Sequence, residues 1–261
     1  MATQPKSEFS RIQVSVDPPT GQITLSHPPQ NVIDIPMMEE LASALSELES
    51  RAEISTMVFS GSAKAFSAGV EVAAHQPETV REMLTKFHSV VRALVNSKRV
   101  TMAVVRGNCL GGGAELAMVC DIVLTARDAR WGFPEIKLAC FPPVAVAALA
   151  ALVGQKRAAE LVLTGRQISG AEAAAIGLAN VACDDSELPA LLKDKLEQLS
   201  KLSPAALAVT KKAAYAWDAM HFEKGLARAE QIYLDELMKT EDAQEGIRAW
   251  LEKREPKWNR S

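Results

Sequence analysis

Two glutamates, Glu115 and Glu135, stand 20 residues apart, and neither has the neighbours of an ordinary surface charge. Glu115 follows Gly111-Gly112-Gly113-Ala114 and precedes Leu116-Ala117, while Glu135 follows Phe133-Pro134. A lone glutamate in a helix's first turn would merely complement the dipole, and one after a turn would be a solvated charge. The small and apolar residues around Glu115 instead place its carboxyl in the interior or in a pocket. Two carboxyls in an apolar pocket can hold one another at opposite protonation states, so that one takes a proton while the other gives one.

The glycines supply a second kind of chemistry. An apolar run over 102–105 feeds Gly111-Gly112-Gly113, and a compact helical run over 114–119 follows. Glycine lets a ligand approach the main chain closely. The first N–H groups of the new helix have no partner within it, and its dipole makes that end electropositive. Such a place suits a phosphate or a developing oxyanion. Upstream, the apolar run 56–60 leads into Ala65-Phe66-Ser67-Ala68-Gly69-Val70-Glu71-Val72, a small-residue turn of the same kind. Alone it would read as an ordinary strand-to-helix loop.

Taken together, Phe66-Ser67-Ala68-Gly69-Val70, the stretch 107–121 and Phe133-Pro134-Glu135 closely resemble the crotonase (enoyl-CoA hydratase/isomerase) superfamily in order and spacing. The resemblance runs nearly end to end. It implies an α/β fold, a spiral of repeated β-β-α units over residues 1–200, with a C-terminal helical trimerisation region over 201–261. It implies a hydro-lyase acting on an acyl-CoA, with Glu115 and Glu135 as the catalytic pair. The oxyanion donors it implies are the backbone N–H groups of Val70 and Gly112. Only the backbone matters at position 70, so valine is acceptable there. Substrate contacts are implied at Ala68, Val70, Glu71, Val72, Ala73, Gly112 and Pro143. No cofactor or metal is implied, CoA being part of the substrate, and the assembly would be a homotrimer or a dimer of trimers.

Composition agrees with a soluble enzyme. The 261 residues are long enough for a sizeable core, and 48% hydrophobic with 23% charged residues is ordinary for a globular chain. A net charge of −3 argues against general nucleic-acid binding. No apolar run approaches a membrane span, and Met-Ala-Thr-Gln-Pro-Lys at the start lacks an apolar signal region. Cys109, Cys120, Cys140 and Cys183 show no C-x-x-C spacing and read as buried reduced thiols in a cytoplasmic protein.

The remaining elements must position these groups. Alternation over 11–17 and at Ile23 and Leu25, across Pro18-Pro19-Thr20-Gly21, predicts a hairpin. Asp34 as cap and Pro36 open a helix with Met38, Leu41, Leu45 and Leu48 on one face. Val80, Met83, Leu84, Phe87, Val90, Val91 and Leu94 predict another. Ile122 begins a strand over 122–125. Residues 142–154 form an apolar, buried or partner-covered segment, followed by short helices over 156–164 and 169–176. Three helices, over 204–217, 222–239 and 242–253, end the chain.

His88 reads as a surface or satisfied histidine, and His75 as a residue near the pocket mouth. Lys253, Arg254 and Lys257 read as a solvated face, with contact to CoA phosphates as a secondary idea.

One departure stands out. Family hydratases carry Pro-Gly-x-Gly-Gly-Thr soon after the second glutamate, and a glycine amide there helps place the water. This chain has Phe141-Pro142-Pro143-Val144-Ala145, and Pro143 has no N–H to give. With residues 31–38 and 66–72, this stretch resembles the cyclohexa-1,5-diene-1-carbonyl-CoA hydratase branch. That resemblance implies water addition to a cyclic dienoyl-CoA, giving 6-hydroxycyclohex-1-ene-1-carbonyl-CoA. A general enoyl-CoA hydratase or isomerase remains an alternative, as does a non-catalytic protein binding a CoA thioester or RNA.

Overall fold

Alternation and turn chemistry build the first edge of the molecule. Strands β1 (Ile12–Asp17) and β2 (Thr20–Leu25) pair antiparallel, Ile12 opposite Leu25, as their period-two pattern requires. The computed structural model describes residues 9–258, with the backbone alone described over 216–220. The opening residues 1–8, including those read as lacking a signal region, lie outside the described residues.

Helix α1 (Ile35–Ser50) starts where predicted. The Asp34 side chain accepts from Met37 N at 2.9 Å, and Pro36 occupies the first turn. Its inward face carries Met37, Met38, Leu41, Leu45 and Leu48, each buried. Burying such a side chain contributes about 1.5–3 kcal/mol. That face, not intrinsic propensity, fixes the helix.

Beyond α1 the chain alternates between two sheets. Strand β3 (Thr56–Ser60) lies in the larger sheet and β4 (Ala65–Ser67) in the smaller, before α2 (Val80–Val95). The pattern repeats with β5 (Val100–Val105), β6 (Asn108–Leu110) and α3 (Gly112–Met118). It repeats again with β7 (Ile122–Ala126), β8 (Arg130–Gly132) and, after a 3₁₀ turn over Pro134–Leu138, α4 (Pro143–Val153). This is the predicted spiral of β-β-α units.

Helix α5 (Gln155–Thr164), strand β9 (Gln167–Ser169), helix α6 (Gly170–Ala175) and strand β10 (Val181–Cys183) complete the two sheets. The larger runs β1-β2-β3-β5-β7-β10 and is parallel from β2 onward. The smaller runs β4-β6-β8-β9, parallel except at β9. Every residue of β5 is buried, as expected of a strand covered on both faces.

The tail is helical: α7 (Leu188–Ser200), α8 (Pro204–Ala214), α9 (Ala216–Asp235) and α10 (Glu241–Leu251). Two points differ from expectation. The sequence reading places no element over α7. It also breaks the tail near Trp217, whereas the break falls at Tyr215 and α9 runs on without interruption. No proline or glycine marks Tyr215, so the break had no local signal. Helix α9 packs along α4, and α10 rests on the 3₁₀ turn after β8. Lys211 on α8 ties this region to the core, its Nζ 2.7 Å from Asp121 and 2.9 Å from Arg99 O. No described helix is long and apolar enough to cross a membrane.

Candidate active site

The smaller sheet sets two loops side by side. β4 and β6 are parallel neighbours, and each ends in one of the two small-residue turns. The first turn is tied from behind by residues 30–33. Ala68 N donates to Gln30 O at 2.9 Å, Ile33 N to Gly69 O at 2.9 Å, and Glu71 N to Ile33 O at 3.0 Å. Asn31, buried and at φ +51°, donates from Nδ2 to Ala65 O at 2.9 Å and Phe66 O at 3.2 Å. This tethering role of Asn31 is legible only once the loop's partners are known.

The second turn needs glycine on two counts. Gly111 has φ +50°, and a β-carbon there would stand 2.5 Å from Glu135 Oε1. A β-carbon on Gly112 would stand 2.6 Å from Val70 Cγ2 and 3.4 Å from Val70 N. One on Gly69 would lie 3.6 Å from Gly112 N. The amides of Val70 and Gly112 therefore border one small space. Among the described residues neither N–H has a protein acceptor.

A cavity of about 290 Å³ lies against these loops. Of the residues predicted to touch substrate, Ala68, Val70, Val72, Gly112 and Pro143 line it, as do Glu115 and Glu135. Glu71 and Ala73 do not: they share the turn but lie outside the wall, with the Glu71 side chain exposed. The rest of the wall is largely apolar, with Met83, Leu84 and Phe87 from α2 and Phe141 before α4.

Glu115 is buried in the first turn of α3, and its Oε1 accepts from Ala145 N at 2.9 Å. Burial raises its carboxyl to about 7, against the opposing pull of the Ala145 and Val144 amides. Glu135 is partly exposed as a residue, yet its Oε2 is buried and unpartnered among the described residues. Burial raises Glu135 well above the carboxylate range, and the Glu115 charge pushes it further. The two are therefore unequal. Amide donors favour the carboxylate form of Glu115, while Glu135 has no such donor and is held towards its neutral form.

Sequence reasoning missed part of the wall. Tyr233 on α9 and Trp250 on α10 line the cavity, so the C-terminal helices complete the site of their own chain. The Tyr233 ring meets Phe141 edge-on at 5.1 Å, and its buried hydroxyl is pushed far up by burial. His88 is not a surface residue; it is fully buried in the same wall. His75 also lines the cavity, its Nδ1 3.0 Å from Glu71 O. The residues missed lie on elements remote in sequence from the glycine turns.

Arg254 is paired with Glu245, its Nη1 and Nη2 2.6 and 2.9 Å from the carboxylate. The four cysteines are free thiols, three of them buried and Cys183 partly exposed. Burial pushes Cys120 up to about 12 and Cys140 to about 11, which keeps both protonated.

The chain resembles known proteins over nearly its whole length. A family model described as enoyl-CoA hydratase/isomerase matches residues 19–261. The chain is 35% identical over 237 residues to a cyclohexa-1,5-dienecarbonyl-CoA hydratase of Thauera aromatica, covering 91% of this chain and 92% of that one. It is 32% identical over 256 residues to a probable enoyl-CoA hydratase of Bacillus subtilis, covering 96% and 99%. Among solved structures, an enoyl-CoA hydratase from Mycobacterium avium subsp. paratuberculosis superposes with a TM-score of 0.87 at 26% identity, covering 96% of this chain and 99% of that one.

Proposed function

This chain belongs to the enoyl-CoA hydratase/isomerase family, and from that premise we propose that it is the hydratase of a cyclic conjugated dienoyl-CoA, cyclohexa-1,5-diene-1-carbonyl-CoA. The family makes it a hydro-lyase on an enoyl-CoA. The observation that carries the mechanism is the pairing of two unequal buried carboxyls with two unpartnered amides in one cavity.

In this reading the thioester oxygen sits between the amides of Val70 and Gly112. Ionised Glu115 takes a proton from water as the water oxygen bonds to the carbon β to the thioester. The electron pair moves to the thioester oxygen, where two donors stabilise it, and losing one would cost ~2.7–4 kcal/mol of transition-state stabilisation. Neutral Glu135 then returns a proton to carbon. For the cyclic diene that carbon is the far end of the dienolate, which leaves 6-hydroxycyclohex-1-ene-1-carbonyl-CoA. The pair regains its starting state when a proton passes from Glu115 to Glu135, directly or through solvent. CoA enters as part of the substrate, and no separate cofactor is needed.

The choice of acyl group is supported by the relative from Thauera aromatica and by the proline start of α4. Assembly as a homotrimer or a dimer of trimers, through residues 201–261 and the core, belongs to the same proposal. Exposed Val146, Leu152 and Leu163 on α4 and α5 support it, as apolar area left uncovered in one copy. A cytoplasmic location fits the four free thiols.

The test is mass spectrometry of cyclohexa-1,5-diene-1-carbonyl-CoA incubated with the protein, beside crotonyl-CoA and a Glu135→Gln control. Gain of one water on the diene, lost in the variant, is expected. Hydration of crotonyl-CoA alone would overturn the acyl assignment and leave a general enoyl-CoA hydratase.

A further inference from the structure

The cavity wall built by α2 and α9 holds polar groups that the hydration step above does not use. His88 is fully buried there, and its Nδ1 lies 2.6 Å from Glu230 Oε1. Arg92 Nη2 holds the same oxygen at 3.0 Å, and Arg92 Nε reaches Glu223 at 3.2 Å. An ionised carboxylate only accepts, so a proton lies on Nδ1 towards Glu230, and Nε2 is left for another partner. Nε2 is buried and has no partner among the described residues. Tyr233, one turn along α9 from Glu230, lines the same cavity with a buried hydroxyl whose protein neighbour is the Cys140 thiol, a weak hydrogen-bonding partner. Helical spacing puts Glu230 and Tyr233 on one face of α9.

A purely hydrocarbon acyl group would leave His88 Nε2 without a hydrogen bond and the Tyr233 hydroxyl with the Cys140 thiol alone. Buried polar groups in native structures are almost always paired, and unpaired ones call for a ligand that satisfies them. The pattern is that of a specificity pocket: apolar walls from Met83, Leu84, Phe87 and Phe141 with a few fixed polar points.

We propose that His88, oriented by Glu230 and accompanied by Tyr233, is a hydroxyl-recognising subsite, so that the site takes an acyl group carrying an alcohol distal to the thioester, additional to the one made by hydration, in preference to the same skeleton without it. That hydroxyl bonds His88 Nε2 and lies beside Tyr233 OH. The inference rests on the hydratase reading of the same cavity and narrows its substrate class. His88 is here a specificity residue, and Glu230 a positioning residue acting through it.

The test uses thioesters matched in skeleton: hex-2-enoyl-CoA against 6-hydroxyhex-2-enoyl-CoA, and the cyclohexadiene thioester with and without a ring hydroxyl. The wild-type protein should favour the hydroxylated member of at least one pair by about 10-fold or more in kcat/KM, as sites built to bond a substrate hydroxyl do. His88→Phe should abolish the preference. Glu230→Gln should reduce it through KM for the hydroxylated member, and it decides the matter if His88→Phe does not fold. Equal kcat/KM within both pairs, or equal loss for both members in the variants, would overturn the subsite. If no thioester is hydrated, the hydratase reading fails separately. Calorimetric binding of the same pairs then decides, tighter binding of the hydroxylated member upholding the subsite and equal binding overturning it.

Discussion

Glu115 Oε1 lies 2.9 Å from the amide nitrogen of Ala145, so a carboxyl in the first turn of α3 caps the start of α4. Helix α4 begins at Pro143 after Pro142, and neither residue has an N–H. Of the first two amides it does possess, that of Ala145 donates to Glu115, and that of Val144 adds to the pull favouring its carboxylate. Proline at a helix's first position removes a donor that would be unpaired anyway and presets φ. The departure from the family's glycine therefore has a local account: it starts a helix whose electropositive end holds the base.

Replacing that base separates chemistry from capping. Glu115→Gln keeps an oxygen for Ala145 and should fold normally, while hydration falls about 10²–10⁴-fold. Glu115→Ala loses the cap as well and should cost about 1–2 kcal/mol of stability. Thermal unfolding of the two variants at pH 8 checks this; equal destabilisation would refute the capping role.

The raised carboxyls set a pH profile. The proposed mechanism uses Glu115 ionised and Glu135 protonated, so kcat/KM should rise through an apparent pKa near 7 and fall at higher pH. Stability follows the opposite sign on the acid side. A carboxyl whose folded pKa is raised binds more protons folded than unfolded. Stability therefore falls as pH climbs from the ordinary carboxylate range, about 4.3, towards 7. Urea midpoints of wild type and Glu115→Gln at pH 5 and 8 should converge or cross as pH rises. A wild-type advantage that grows with pH would contradict this.

Adding one carbon at Gly112 tests the amide pair. The methyl of Gly112→Ala would meet Val70 Cγ2 at 2.6 Å and crowd the space between the two N–H groups. Loss of about 10²-fold or more in kcat is expected, with the fold retained by circular dichroism. Unchanged turnover would place the oxyanion elsewhere.

Pro143→Gly restores the amide that related hydratases use. Release of the φ restraint should cost about 0.4–1 kcal/mol, and the ratio of crotonyl-CoA to cyclic-diene turnover should rise. Steady-state kinetics on both thioesters measures it; a fixed ratio would remove Pro143 from specificity.

The Lys211–Asp121 pair joins the helical tail to the core. Lys211→Met leaves Asp121, only 13% exposed at its side chain, without its cation. Breaking such a pair costs about 3–5 kcal/mol. Thr101 still donates to Asp121 from N at 2.7 Å and Oγ1 at 3.0 Å, which puts the loss at the lower end. Guanidinium unfolding gives the value, and Asp121→Asn with Lys211→Met should recover part of it.

The sequence made the two glycine turns and both glutamates legible because their signals are local: small residues, a strand before, a helix after. It also disclosed α1 and α2 through their periodic inward faces. The strands of the smaller sheet were not legible, since three residues cannot display an alternation. Leu188, Leu191, Leu192 and Leu196 do carry a helical period, so α7 could have been read. His88, four residues after Leu84 and three before Val91, lies on the inward face of α2 and could have been read likewise. Tyr233 and Trp250 could not. Their part in the site follows from how α9 and α10 return over the cavity, which no neighbouring residue encodes.

The pairing of β4 with β6 has a metrological consequence. Adjacent strands run about 4.8 Å apart, a spacing fixed by backbone geometry and shared by all sheets. Val70 and Gly112 follow the ends of these two strands, and an oxygen receiving two bonds of about 2.9 Å fits between donors on that scale. The ladder thus brings the two turns within reach of one oxygen, and the Asn31 tether and the bare backbone of Gly111 and Gly112 shape what lies beyond it. Strand pairing supplies the coarse spacing and a few side chains the fine adjustment.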